Sequence, residues 1–247
     1  MKIGLLFIAT GRYTRYITPL VASARQYFFR EKAHEVSYFV FTNSIRTWNG
    51  VTRFRVPHLP WPLPTLMRFD FFCRNEDVLR DMDYLYYCDV DMLFIRDVGE
   101  EVIGDRVATL HAFFYNKLRS ELKYEDRENS TAYVPREKGA SYYAGGFFGG
   151  RASCFLDMAR ELKDNIEEDT RRGITAIWHD ESHLNRFFAY HPPDVVLSPS
   201  YCFPEGSQID FPPKLVALNK DHQKMRGGLT LMNRVDLFTR PLRRIFG

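Results

Sequence analysis

The sequence predicts an α/β domain whose central sheet is mainly parallel, and three observations lead there. Residues 3–9 (IGLLFIA) and 36–42 (VSYFVFT) are near-continuous apolar runs, the pattern of strands covered on both faces. Between them, residues 16–29 repeat apolar side chains at helical spacing. Strand, helix and strand thus fall within about 42 residues, the mark of a parallel, right-handed βαβ unit. Residues 84–97, YLYYCDVDMLFIRD, form a third apolar run rich in β-formers, broken by Asp89 and Asp91.

Taken in order, the first helix has Ile17, Leu20, Val21, Ala24 and Phe28 as its stripe, with Pro19 in its first turn, where proline is tolerated. Residues 51–56 predict a short strand. Residues 57–64 hold four prolines in eight positions, which excludes helix and central strand and leaves an extended connector. Residues 65–79 predict one helix, with Leu66, Phe69, Phe72 and Leu79 on a face and Arg68 and Asp70 as charges inside it. After the 84–97 run come a loop or short helix over 98–105 and a strand over 107–112. Residues 116–138 are charged and poor in aliphatics, a surface excursion of a length uncommon unless it is a lid or binding loop. Residues 140–150, ASYYAGGFFGG, set four glycines around Phe147 and Phe148. Glycine weakens strands, so the pattern signals a close approach of backbone or ligand, or else a bulged hairpin. Residues 154–171 predict a helix with Leu156, Ala159, Leu162 and Ile166 inward and Gly173 as its stop. Residues 178–190 predict a helix capped by Asp180, with Glu181 at its positive end. Residues 194–197 and 214–219 predict short strands. No repeat, low-complexity segment or linker divides the 247 residues, which read as one domain.

Composition narrows the function. Basic residues number 34 and acidic 31, a balance too even for a nucleic-acid binder. Aromatics reach 15%, suiting a thick core or a sugar-stacking cleft. Cys73, Cys88, Cys154 and Cys202 are scattered without CxxC spacing, so they read as reduced thiols rather than a zinc site. The N-terminal MKIGLLFIATGRY lacks a small-residue cleavage site and reads as a first strand, not a signal. No stretch reaches the roughly 20 apolar residues of a membrane helix. These features predict a cytoplasmic location.

Candidate chemistry lies in three places. Asp89 and Asp91, two apart on a strand, point the same way and offer oxygen ligands suited to Mg²⁺ or Mn²⁺, with positions left for phosphate; the plain alternative is a polar loop. His179, Asp180, Glu181 and His183 form the densest titratable cluster. It reads as a metal site (in the order HxExH, not HExxH), as a general base or nucleophile at Glu181, or as a charged helix start. Lys220, Lys224 and Arg226 suit a diphosphate clamp or a solvated segment. The tail 240–247, RPLRRIFG, offers at most a weak contact with an anionic membrane surface.

Six pieces together resemble glycosyltransferase family six, the retaining transferases that include the blood-group A and B enzymes and the α-1,3-galactosyltransferases. They are YLYYCDVDMLFIRDVG at 84–99, TLHAFFY at 109–115, AYVPREKGASYYAGGFFGG at 132–150, GITAIWHDESHLNRFF at 173–188, VLSP at 196–199 and KDHQKMR at 220–226, in the family's order. The resemblance implies a single GT-A-type nucleotide-sugar transferase domain with a mixed, mainly parallel central sheet flanked by helices. Residues from 1 to about 105 would be the nucleotide-sugar half, and about 106 to 247 the acceptor half with a closing C-terminal segment. Animal members carry a Golgi anchor and stem, whereas this sequence starts at the first strand, which implies a bacterial or phage-type member. Some bacterial relatives carry asparagines in place of the D-x-D and work without metal; Asp89 and Asp91 imply Mn²⁺ dependence.

By the same resemblance Glu181 is the catalytic residue. Ile8, Ala9, Thr10 and Tyr13 would receive uridine, and Asp89-Val90-Asp91 would hold Mn²⁺ and the diphosphate. Arg68 would sit near the donor sugar and the first aspartate, Asp180 would touch the donor sugar, and Lys220 and Arg226 would fold over the diphosphate. His111 and Trp178 would contact the acceptor. Ala144, Gly145 and Gly146 align with the donor-selecting segment. Glycine at its third place goes with UDP-GalNAc, since the N-acetyl group needs room, and a larger residue goes with UDP-Gal. Residues 201–213, within SPSYCFPEGSQIDFPP, depart from the family's acceptor loop, and Glu205 is the candidate acceptor-binding carboxylate there. The implied reaction moves GalNAc from UDP-GalNAc in α-1,3 linkage to the galactose of a fucosylated, H-antigen-like oligosaccharide, with UDP-Gal as the alternative donor. The rivals are a sugar-binding protein without catalysis and a metal hydrolase built on His179 and His183.

Overall fold

The computed structural model describes residues 1–31, 33–221 and 225. The apolar runs become strands because each face meets its own core. In β1 (Lys2–Ile8), Leu6 enters one apolar cluster while Ile3, Leu5 and Phe7 enter the other. In β4 (Tyr84–Cys88), Leu85 and Tyr87 likewise separate from Tyr84, Tyr86 and Cys88. The period-2 alternation of a strand thus fills two layers at once. Strands β2 (Glu35–Thr42) and β3 (Val51–Arg55) extend the sheet on one side. On the other side stand β6 (Val107–Leu110), β7 (Tyr143–Arg151) and β8 (Val195–Leu197). The seven strands run in the order β3-β2-β1-β4-β7-β6-β8. All lie parallel except β7, which opposes both β4 and β6. This is the mixed, mainly parallel sheet of a GT-A-type domain.

Helix α1 (Ile17–Tyr27) covers one face with Leu20, Val21 and Ala24. Helices α5 (Ala152–Arg171) and α6 (Asp180–Tyr190) cover the other. Gly173 follows α5 at φ 72°, the left-handed position that glycine takes without strain. Among the described residues no helix is long and apolar enough to cross a membrane.

Four local expectations need correction. The run 84–97 is not one strand: β4 ends at Cys88, and β5 (Met92–Phe94) belongs to a separate small sheet with β9 (Phe203–Pro204) and β10 (Leu215–Ala217). Asp89, Val90 and Asp91 make the turn between them, closed by the Met92 N–H on the Asp89 carbonyl at 3.1 Å. Two carboxylates are too costly to bury within a ladder, so the chain changes sheets there. Second, the expected helix over 65–79 is three short ones, α2 (Leu63–Leu66), α3 (Arg68–Cys73) and α4 (Glu76–Leu79). The Asn75 side chain donates to the Phe71 carbonyl at 2.8 Å, competing with the helical ladder. Third, of the two readings of the glycine-rich stretch the close backbone approach holds and the hairpin does not: it is a central strand, where a Cβ on Gly149 would stand 2.4 Å from the Leu85 carbonyl. Its register slips against β6, where Ala108 pairs with Phe148 but Thr109 with Ala144, so residues 145–147 bulge away from β6. Fourth, residues 116–138 are not a mere surface excursion. Leu122, Tyr124 and Val134 pack with Tyr142 as a third apolar cluster. Arg119 donates to the carbonyls of Lys138 and Pro135 at 2.6 and 3.0 Å, and Ser130 Oγ donates to the buried Asp169 of α5 at 2.6 Å.

Candidate active site

The carboxyl ends of β1 and β4 open on one sheet edge, where ligands of open α/β folds bind. A cavity of about 280 Å³ lies there. Of the residues expected in a donor site, Ile8, Thr10, Tyr13, Arg68, Asp89, Val90, Asp91 and Lys220 line it. Ala9 does not. It lies on the opposite side of the strand, fully buried in the core, and its N–H extends the ladder to the Phe41 carbonyl at 2.9 Å. The proline-rich connector, read as spacer alone, contributes His58, Leu59, Pro60 and Trp61 to the wall. His58 Nδ1 lies 3.1 Å from Thr10 Oγ1.

Arg68 is the hub. It opens α3 and is 4% exposed. Its guanidinium donates to the Gly145 carbonyl at 2.8 Å and pairs with Asp180 at 3.1 Å and Asp89 at 3.3 Å. It also lies over the Tyr87 ring, 3.9 Å from the centroid. Burial opposes its charge, but Asp180, Tyr87 and Asp89 outweigh that penalty, so its pKa moves up and it stays cationic. Tyr87 was not singled out from the sequence, yet its hydroxyl donates to Asp89 Oδ1 at 2.7 Å and fixes that carboxylate from below. Asp91 is 5% exposed, and the Lys220 ammonium rests directly against it while lying 5.3 Å from the Tyr13 ring centre.

Asp180 does not cap α6. It is the first helical residue and is spent on Arg68, while the cap position falls to His179 at φ 54°, without a side-chain cap bond. Glu181 follows, and its carboxylate accepts the Gly145 N–H at 2.8 Å, one of the positions where β7 bulges away from β6. Burial pushes its pKa up to about 7, with the Asp180 charge adding to the rise and the Gly145 bond opposing it. Tyr142, its hydroxyl buried, flanks the same carboxylate. His183 lies elsewhere, fully enclosed, with Nε2 3.7 Å from Asp169. His179 instead sets its ring edge-on to Trp61 at 5.4 Å. The two histidines therefore do not converge as a hydrolase centre would need.

Among the residues expected to select the donor, Ala144 is buried in strand pairing with Thr109, Gly145 faces Glu181 and Arg68, and Gly146 faces Cys202, Asp89 and Met92. A Cβ on Gly146 would come within 2.8 Å of Cys202 Sγ and 3.4 Å of Asp89 Oδ2, so the place of its missing side chain is a close contact, not an open space. Of the expected acceptor residues, Trp178 is 47% exposed, and its backbone N–H donates to Ser182 Oγ at 3.0 Å. His111 accepts the Phe113 N–H on Nδ1 at 3.2 Å, which leaves the proton on Nε2. Burial lowers its pKa to about 4, so it is a neutral donor at neutral pH. Glu205 is exposed and accepts the Asn219 N–H at 2.7 Å; it is not among the described residues lining the cavity. Lys224, Arg226 and the tail 240–247 lie outside the described residues.

A metal is tested by this donor set. Asp89 and Asp91 supply hard oxygen ligands on one turn, and a cation, the Lys220 ammonium, already stands against Asp91. No group of three or more His, Cys, Asp or Glu suited to an ion occurs among the described residues. The protein thus offers two carboxylates, which fits a divalent ion arriving with phosphate and water oxygens and does not fit a closed zinc site.

The profile of glycosyltransferase family 6 matches residues 64–227, a span holding the hub, the aspartate turn and Glu181. This chain belongs to glycosyltransferase family 6. It is 33% identical to the chicken globoside alpha-1,3-N-acetylgalactosaminyltransferase 1, over 92% of this chain and 69% of that protein. It is 33% identical to the rat histo-blood group ABO system transferase 1, over 91% of this chain and 68% of the relative. It is 27% identical to the Escherichia coli O-antigen biosynthesis glycosyltransferase WbnI, over 93% of this chain and 99% of that protein. As a family 6 glycosyltransferase it takes a nucleotide sugar and a glycan acceptor, and the cavity and the exposed Trp178 lie within one such domain.

Proposed function

We propose that this family 6 enzyme transfers GalNAc from UDP-GalNAc, with retention and with Mn²⁺, in α-1,3 linkage to a galactose of a fucosylated acceptor. The observation that carries the reading is the bond between Glu181 and Gly145 within a site that also joins Arg68 to Asp89 and Asp180. It ties a carboxylate directly to the segment expected to meet the donor sugar. One relative, the globoside alpha-1,3-N-acetylgalactosaminyltransferase, carries this donor sugar and linkage in its name, which supports the reading.

Asp89 and Asp91 would hold the metal. When bound, it supplies positive charge that offsets the diphosphate as UDP leaves. The chain's own groups do the rest. Arg68 keeps Asp89 and Asp180 aligned by a fixed fork of donors. Thr10 and Tyr13 face the nucleoside side of the cavity, and Lys220 swings from Asp91 to the diphosphate. The bond from the anomeric carbon to UDP breaks with its electron pair on the diphosphate. Glu181, anchored by Gly145, meets the charge that develops on that carbon, either by attack or by electrostatic support. The acceptor hydroxyl then adds on the face that UDP left, displacing Glu181 where a bond to it has formed, and passes its proton to an oxygen of the departing diphosphate. His111 donates from Nε2 to an acceptor oxygen, and Trp178 offers its exposed ring to a sugar face.

UDP-Gal is the second reading, favoured by one observation: Cys202 fills the room beside Gly146. The test is transfer from UDP-GalNAc and UDP-Gal to lactose and 2′-fucosyllactose, with Mn²⁺ or with EDTA. The proposal expects UDP-GalNAc and 2′-fucosyllactose to be preferred and EDTA to abolish turnover. Preference for UDP-Gal, or full activity in EDTA, refutes the corresponding part.

A further inference from the structure

Gly146 is bare, yet three side chains already crowd the place its own would take. An ideal Cβ there stands 2.8 Å from Cys202 Sγ, 3.4 Å from Asp89 Oδ2 and 3.4 Å from Met92 Sδ, and real Cβ atoms essentially never come within 3.0 Å of a neighbour. Two of these walls are fixed for other reasons. Asp89 is held by Tyr87 and Arg68, and Met92 is 1% exposed in the core. Cys202 is different. It ends the short 3-10 turn Pro199–Cys202, is half-buried, and enters a segment that departs from the rest of the family resemblance. Its sulfur stands against the open side of Gly146, and the charges of Asp89 and Glu181 both act on it. Burial drives its pKa upward, so it acts there as a neutral volume rather than a nucleophile.

We propose that Cys202 is a specificity-determining residue of the donor-sugar subsite. Its side chain, wedged against Gly146 beside Asp89 and Met92, sets the volume available to the substituent that distinguishes an N-acetylhexosamine from a hexose. The inference deepens the donor reading above and rests on it. A glycine at 146 removes one wall of that space, and residue 202 forms the next one. Substituting Gly146 alone therefore changes the site partly by displacing the thiol.

The experiment measures dissociation constants of UDP, UDP-GalNAc and UDP-Gal for the wild type, Cys202→Ala, Cys202→Leu, Gly146→Ala and the Gly146→Ala/Cys202→Ala double variant. UDP carries no sugar and reports that the nucleotide site is intact. Cys202→Ala is expected to shift the GalNAc-to-Gal binding ratio toward GalNAc by at least about fivefold, and Cys202→Leu to shift it the other way by about tenfold, as one methylene-sized change in a pocket commands. Gly146→Ala lowers Tm, and adding Cys202→Ala restores part of it, because the second change removes the atom the new methyl meets. A ratio within about twofold of wild type in both Cys202 variants, or effects of the two sites that simply add in Tm and in the ratio, overturns the proposal. A wild type that prefers UDP-Gal refutes the donor reading instead, since the shift between variants is still read against whichever donor is favoured.

Discussion

Glu181 is held in a form the fold disfavours. Its carboxyl has a pKa of about 7, above the ordinary 4.5, so the folded chain binds its proton more tightly than the unfolded chain does. Stability from this group is present at low pH and is lost as pH rises from 4.5 through 7, a change on the order of 3 kcal/mol. Glu181→Gln keeps an oxygen for the Gly145 N–H and removes the charge. It is expected to raise Tm by several degrees at pH 8, to change little at pH 4, and to lower kcat at least about 100-fold. Thermal melts across pH, set beside turnover, check this; an unchanged melt at pH 8 would contradict it. Wild-type kcat/KM should fall on the acid side of about pH 7, as Glu181 takes up its proton. Arg68 works the other way. Arg68→Ala strands the buried Asp180 and is expected to cost about 3 kcal/mol or more in denaturant unfolding, whereas Arg68→Lys retains charge, loses the fork and costs less. Glu181 and the two aspartates stand out in the sequence through the motifs around them, and Arg68 as a charge inside an apolar helical stretch. Tyr87 and Cys202 do not: each matters through a contact far along the chain, and no local spacing encodes that Cys202 ends beside Gly146.

At the scale of elements, strand and helix existence followed from apolar periodicity, and the misreadings share one cause. Periodicity reports that side chains are buried, not what they are buried against. So the run 84–97 hid a change of sheet at Asp89, and ASYYAGGFFGG hid both the reversed direction of β7 and its slip against β6. That slip matters, because it takes Gly145 out of register with β6 where its N–H meets Glu181. The entry to α6 is a second device. His179 sits at φ 54° and ψ −127°, a conformation rare for a residue with a side chain. Strain of this kind costs on the order of 1–3 kcal/mol and persists only where neighbours enforce it. His179→Gly is therefore expected to raise Tm by a few degrees while lowering kcat, since the ring that braces Trp61 is lost. Equal falls in Tm and in activity would show the turn to be unstrained.

The whole molecule places two parallel strand ends, a proline-rich wall and a C-terminal segment around one cavity. The family and the sheet type were readable because motifs spread over the chain keep one order; residues 220–226 read only as a basic stretch, since charge runs look alike whether they clamp or float. The contact of Lys220 with Asp91 has a thermodynamic meaning. The acidic turn carries its own tethered counter-ion, so an arriving metal must win a competition rather than fill an empty seat. A tethered competitor acts at an effective concentration of about millimolar or higher. Free Mn²⁺ alone should then bind weakly, and Lys220→Ala should tighten that binding by about tenfold, read from the paramagnetic resonance signal of unbound Mn²⁺ without any sugar nucleotide. With UDP present the order should reverse, because the diphosphate draws the ammonium away and supplies the oxygens the turn lacks. Identical Mn²⁺ titrations of the two proteins would show that the lysine and the ion do not compete. Where they do, nucleotide and metal assist each other's entry, and the resting enzyme is shielded from stray divalent ions until its donor arrives.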